Sequence, residues 1–253
     1  MKECKNRTEN NTIVMKRKIG FYEKNVKRCI DIICSLMAII VFGWLYIIVA
    51  VLVRIKLGAP VLFKQPRPGK IDTKTGRERV FNMYKFRSMS DEKDESGNLL
   101  PDDVRLGKFG KALRATSLDE LPEVFNILKG DMSIIGPRPQ LVRDMVFMTP
   151  EQRMRHTAKP GLSGLAQING RNAIKWEDKL SWDLKYIKKI TFLGDVKIVF
   201  QTVMKVFVKQ EGITDGDMAT SYDYGDWLLK EGKISLEEYE LKQKEAREWV
   251  KER

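Results

Sequence analysis

Two adjacent carboxylates, Asp119 and Glu120, stand in the stretch TSLDELPEVFNILKGDMSIIGPRP, Thr116 to Pro139. On a helix such neighbours point about 100° apart, so they are poor partners for one proton but can grip a cation from two sides. Arg114, Lys129, Arg138 and Arg143 are close in sequence, and Gly136-Pro137-Arg138-Pro139 builds a stiff turn. A planar guanidinium on a preset backbone suits a two-point hold on phosphate. Mg²⁺ bound by one or two carboxylates and by substrate phosphates would complete an arrangement for phosphoryl transfer. A local reading competes with this one. Ser117 followed by Glu120 is a capping-box pattern, Thr116 with Asp119 offers another, and Arg138 would then occupy a proline-pinned surface turn.

Other candidates surround this segment. Lys85 and Arg87, in YKFRSM, fall on one face of a predicted strand near an apolar run, where they would meet an anionic lipid head or blunt a sheet edge. The loop KPGLSGLAQINGR carries Gln167, Asn169 and Arg171, with donors and acceptors suited to a nucleotide base or a sugar. The single histidine, His156, argues against His-rich metal centres and a Ser-His-Asp triad. Three cysteines, Cys4, Cys29 and Cys34, lack zinc-site spacing and read as free thiols in a reducing compartment.

Several elements must position these groups. APVLFKQ (Ala59 to Gln65) and RVFNMYKFRSM (Arg79 to Met89), separated by the turn-rich RPGKIDTKTGRE, predict a hairpin. SDEKDESGNLLPDD predicts a loop, and helices dominate from Val104 to Lys129. MSIIGPRPQ reads as a short extended piece ending in a turn. From Glu177 to Lys209 the pattern is helical, with Val196, Phe200, Val203 and Phe207 at helical spacing. Core packing is the ordinary reason for such a stripe, and burial in a bilayer interface is the second. The end of the chain, SLEEYELKQKEAREWVKER, predicts a helix capped by a box from Ser235 to Glu238.

Residues 32–53 contain no charge, and as a straight helix would reach about 33 Å, enough to cross a bilayer core. Lys24, Lys27 and Arg28 precede this run, and Arg54 and Lys56 follow it. Basic residues favour the cytoplasmic side, so two basic flanks suit a helix that enters and returns, whereas backbone hydrogen bonding in lipid favours an ordinary single span. The formal net charge is +12, and residues 221–253, with seven basic and nine acidic side chains, make no positive contribution to it. The body is thus drawn to polyanions: nucleic acid, anionic lipid or phosphorylated substrates.

YKFRSM, TSLDELPEVFNILKGDMSIIGPRP, RHTAKPGLSGLAQINGRNAIKW and DVKI, in that order behind one apolar run, resemble the bacterial sugar transferase family of monotopic phosphoglycosyl transferases. The resemblance covers residues 24–220. It implies an α+β, mostly helical fold: a re-entrant membrane helix over 24–58, a small β-hairpin, and interfacial amphipathic helices around a compact cytoplasmic catalytic domain over 59–220. A basic tail (1–23) and a charged helical extension (221–253) fall outside it. The implied reaction moves a sugar 1-phosphate from a UDP-sugar to undecaprenyl phosphate with release of UMP, with Mg²⁺ as cofactor. It would occur at the cytoplasmic leaflet of the bacterial inner membrane, without a nucleic-acid partner, and would supply downstream glycosyltransferases. By resemblance Asp119 is the nucleophile, Glu120 completes a dyad that also holds the metal, and Arg114 and Arg138 handle phosphate. The family's Ser-Pro at the membrane bend is here Gly43-Trp44, which enforces a kink less. RNAIKW resembles members that use N-acetylated amino sugars. A membrane-tethered basic module that binds nucleic acid or anionic lipid without catalysis is the alternative; it leaves the dyad and the Gly-Pro-Arg-Pro turn without a role. A single-span anchor that docks a partner on the terminal helix is another.

Overall fold

The computed structural model describes residues 17–170, 175–205 and 222–252. They form a mostly helical α+β structure with one long apolar helix and two small sheets. Helix α1, Lys27–Leu57, follows a π-helical turn, Tyr22–Val26. It is long and apolar enough to cross a membrane. The helix continues through Gly43 without a break in its hydrogen bonding.

The way α1 meets the rest of the protein is informative. Near its start Lys27, Asp31 and Ser35 are buried. Lys27 pairs with Asp195, and Asp31 accepts hydrogen bonds from Ser133 Oγ and the Ile134 amide, both at 3.0 Å. Near its end Val49 and Val53 are buried against Phe86 and Leu113, and the Tyr46 hydroxyl donates to the Leu121 carbonyl. Between residues 36 and 48 no residue is buried, and Ile40 is 80% and Trp44 61% exposed. The helix is therefore docked at both ends on one body, and most of its apolar middle is exposed.

Strands β1 (Leu62–Ile71) and β2 (Glu78–Phe86) pair antiparallel, with Gln65 opposite Met83. This is the expected hairpin, but β1 continues to Ile71 through a stretch that reads as a turn. Pro66 and Pro68 are tolerated because a two-stranded sheet leaves one edge of each strand open. Helix α2, Asp102–Ala115, leads to a 3₁₀ turn, Leu118–Glu120, and then to α3, Glu123–Lys129. Strand β3, Ser133–Ile135, runs parallel to β4, Gly161–Ser163. Between them lie the short helices α4, Val142–Met145, and α5, Pro150–Arg153. Helix α6, Leu165–Ile168, follows β4, and then come α7, Trp176–Lys188, and α8, Phe192–Val203.

Three glycines hold the β3–β4 pair together by close backbone approach. A β-carbon on Gly136 would lie 2.3 Å from the Lys159 carbonyl oxygen, one on Gly161 2.0 Å from the Gly136 nitrogen, and one on Gly164 2.1 Å from the Gly136 oxygen. None of these positions accepts a side chain.

Helices α9, Tyr224–Lys230, and α10, Leu236–Lys251, pack on α4, where Ala246 and Trp249 join Val142, Met145 and Val146. Ser235 caps α10, its Oγ accepting from the Glu238 amide at 3.1 Å, as the sequence predicts. The stripe on α8 differs from the core reading. Val196, Phe200 and Val203 face outward, Phe200 being 65% exposed, while Ile198 turns inward; Phe207 lies outside the described residues. With Phe192, Leu193 and Val199 they form an apolar surface of the kind that marks an interface.

Buried charge pairs tie these layers together. Arg153 and His156 both bond Glu78. Burial pushes the Glu78 carboxyl up, but His156 and Arg153 outweigh it and hold it at about 2. Burial also keeps the His156 imidazole below its usual range, which makes it a structural acceptor or donor in the core.

Candidate active site

Asp119 and Glu120 sit on the Leu118–Glu120 turn rather than within a capped helix. Neither capping box forms. Ser117 adopts a left-handed conformation (φ 56°) with no capping hydrogen bond, and the Thr116 hydroxyl donates backward to the carbonyls of Ala112 and Leu113. Pro122 stops the turn from merging with α3, whose first residue is Glu123.

The two carboxylates differ in their partners. Glu120 Oε1 accepts from Lys85 Nζ at 2.8 Å and from Arg138 Nη2 at 2.7 Å. Burial alone would raise its pKa, but Lys85 and Arg138 prevail and hold the carboxylate well below its usual range. Asp119 is buried and has no hydrogen bond or ion pair to its carboxylate among the described residues. Burial raises its pKa, Lys85 opposes that rise, and Glu120 reinforces it. One acid is thus locked ionised between two cations, while its neighbour keeps uncommitted oxygens.

Lys85 is turned into the protein, with its side chain 17% exposed. Strand parity explains why: Phe81, Met83 and Lys85 share the face of β2 that packs on α3, and the first two are core residues. On that face the ammonium bridges Glu120 and Glu123, the latter at 3.2 Å. Arg87, just past β2, is buried. Its guanidinium donates to the Leu57 and Ala59 carbonyls and pairs with Asp91, so that it staples the end of α1 to the hairpin.

Two residues that the sequence reading passed over complete this centre. Glu123 is a third carboxylate, 2% exposed; burial and Glu120 raise its pKa to about 7 against the pull of Lys85. Asn126, fully buried, accepts from the Tyr84 amide at 2.9 Å and donates to the Asn82 carbonyl at 2.7 Å, fixing α3 against β2 and so Lys85 against its carboxylates. The available signal was a lone Asn and a lone Glu on the apolar side of a helix that also carries Val124 and Ile127.

Glu120 and Arg138 open on a cavity of about 630 Å³. Its polar lining includes Arg67, Gln167, Lys179 and Asp183, and its apolar lining includes Phe42 of α1, Leu121, Ile134, Leu162 and Val199. Asp119 and Arg114 stand beside it without lining it; Arg114 Nε donates to Ser88 Oγ at 3.0 Å, and its charge acts on Asp119. Gln167 reaches the cavity from α6, with both amide atoms buried and unpartnered. Asn169 does not; it is exposed, and its amide donates to the Leu165 carbonyl at the end of α6. Arg171 lies outside the described residues.

Among the described residues no group of three potential ligands forms a metal cluster. The oxygens of Asp119 and Glu120 nevertheless suit Mg²⁺, which takes few carboxylates and completes its shell with substrate phosphates and water.

Known proteins resemble this chain closely. The family described as "Bacterial sugar transferase" matches residues 22–209. "Uncharacterized sugar transferase EpsL" of Bacillus subtilis (strain 168) is 44% identical over 196 residues, which cover 78% of this chain and 94% of that protein. "UDP-N-acetylgalactosamine-undecaprenyl-phosphate N-acetylgalactosaminephosphotransferase" of Aeromonas hydrophila is 38% identical, over 72% of this chain and 43% of its own length. "UDP-glucose:undecaprenyl-phosphate glucose-1-phosphate transferase" of Klebsiella pneumoniae is also 38% identical, over 73% of this chain and 40% of its own. The chain thus spans less than half of the latter two. With three quarters of its length matched and the paired carboxylates, the arginine turn and the apolar helix in place, the chain belongs to the bacterial sugar transferase family.

Proposed function

We propose that the protein transfers a sugar 1-phosphate from a UDP-sugar to undecaprenyl phosphate and releases UMP. The observation that carries this reading is the cavity itself. Its lining combines charged groups, Glu120 and Arg138 among them, with apolar side chains that include Phe42 of α1, and Lys85 and Arg138 hold the Glu120 carboxylate. A phosphate on a long hydrocarbon chain needs both kinds of lining. A basic module without catalysis leaves this arrangement without a purpose.

In this reading the Asp119 carboxylate attacks the phosphorus that bears the sugar. A bond from aspartyl oxygen to phosphorus forms, the bond to the bridging oxygen breaks, and UMP departs with that oxygen. An oxygen of the lipid phosphate then attacks the same phosphorus, and the carboxylate is regenerated. Covalent carboxylate catalysis divides a transfer between two bulky substrates into two steps at one site. Arg138 and Arg114 steady the charge on the phosphoryl group, and Glu120 stays anionic because its cations are fixed by β2 and the Gly-Pro-Arg-Pro turn. Mg²⁺, held by Asp119 and Glu120 when bound, would neutralise phosphate charge. UMP release that needs a UDP-sugar, undecaprenyl phosphate and Mg²⁺ together is the expected assay result; no release from any UDP-sugar refutes the activity.

The two docked ends of α1, with basic residues at both, support re-entry from the cytoplasmic side of the inner membrane. The exposed faces of α1 and α8 would then lie in lipid. Cysteines placed in the N-terminal tail should react only with reagents on the cytoplasmic side. Labelling from outside intact cells would establish a full span.

A further inference from the structure

Three polar groups on the cavity wall take no part in the Glu120–Lys85–Arg138 network. Lys179 and Asp183, one turn apart on α7, are 8% and 1% exposed. Among the described residues Lys179 has no carboxylate at ion-pair distance; its ammonium lies 5.1 Å from the centre of the Trp176 ring. Burial and the nearby Arg138 both lower its pKa, with Asp144 opposing. Asp183 commits only Oδ2, to Arg155 Nε at 2.9 Å and Nη2 at 2.6 Å, and its Oδ1 is buried without a donor. Gln167 has a buried amide with neither atom bonded.

Such groups are costly to bury unless a ligand completes them. Their position is fixed relative to the phosphate-handling turn, because Arg155 Nη2, which holds Asp183, also donates to the Arg138 carbonyl at 2.5 Å. Two cations, Arg138 and Lys179, line the same cavity, and Arg138 is near enough to lower the Lys179 pKa. A donor with two phosphates in series has a use for both. A neutral sugar has no charge to offer the second.

We propose that Lys179, Asp183 and Gln167 bind the half of the donor that leaves as the nucleoside monophosphate. Lys179 takes its phosphate, Asp183 Oδ1 accepts from a ribose hydroxyl, and Gln167 reads the base. Uracil offers a carbonyl acceptor beside an N–H donor, and a primary amide matches both. This rests on the donor being a UDP-sugar, as argued above.

The test uses the full chain in lipid nanodiscs, with UMP and glucose 1-phosphate as separate calorimetric probes. Lys179→Met should weaken UMP binding about 10- to 100-fold and raise the donor KM similarly, as expected for losing one charge-assisted contact. The KM for undecaprenyl phosphate and glucose 1-phosphate binding should not change. Gln167→Ala should also weaken UMP binding, and because its amide bonds nothing in the described residues, it carries the test if the lysine variant does not fold. UMP affinity equal to wild type in both variants, or a loss confined to glucose 1-phosphate, overturns the assignment. A wild-type protein that releases no UMP from any UDP-sugar defeats the functional reading itself, and this inference with it; variants that match an active wild type defeat the inference alone.

Discussion

Asp119→Asn should lower turnover by at least about 10⁴-fold, the scale expected when a covalent nucleophile is removed, while the protein should still fractionate with membranes. The amide is nearly the same size as the acid, so the turn between Ser117 and Pro122 keeps its shape. It has no anionic oxygen to attack phosphorus. The electrostatics point the same way: Asp119 is the member of the pair with no described ionic partner, whereas both cations hold Glu120. Incubation with radiolabelled UDP-sugar in the absence of acceptor should leave label on wild-type protein and none on the variant. Unchanged activity in Asp119→Asn would move the nucleophile elsewhere.

Lys85→Met is the second large effect, and it tests whether the centre is balanced by charge. The ammonium is the only described ionic partner of Glu123 and one of two for Glu120. Removing one partner of a buried ion pair costs about 3–5 kcal/mol because a charge is left uncompensated. Activity should fall with it, as Glu120 loses half of its hold. The loss has a pH signature. Glu123 already has a raised pKa, at about 7, and without Lys85 only Arg138 still opposes burial and Glu120, so it rises further. A carboxyl raised in the folded state is more protonated there than in the unfolded chain, so stability falls as pH rises above its ordinary value of 4.5 through the raised one. The variant should therefore be weakest in thermal unfolding at alkaline pH. Adding Glu123→Gln should restore most of the stability without restoring activity. If the double variant is no more stable than Lys85→Met, Glu123 is not the uncompensated charge.

Much of this was legible in the sequence, and the failures share a cause. The hairpin, the capped terminal helix and the long apolar helix announce themselves through local patterns: alternation, a Ser-x-x-Glu box, an uncharged run. The partners of Lys85 were not legible because they depend on which face of β2 packs on α3, a long-range fact that Phe81 and Met83 decide. The Ser117–Glu120 box, the competing local reading, does not form. Its spacing was correct, but Ser117 in the left-handed region leaves no helix to cap. Glu123 and Asn126 looked like polar interruptions of an apolar helix face, and only their partners on β2 reveal them as fasteners. The outward stripe on α8 was indistinguishable from a core stripe by periodicity alone, since lipid and protein interior ask for the same residues.

The tight contact of Gly136, Gly161 and Gly164 leaves the segment bearing Arg138 no slack. That segment cannot be re-aimed by exchanging its own residues, because any added carbon would push strands apart. Attempts to make this catalyst accept a new donor should therefore spare it and vary the rest of the cavity lining, where α1, α6 and α7 present side chains that can be swapped while the backbone stays put.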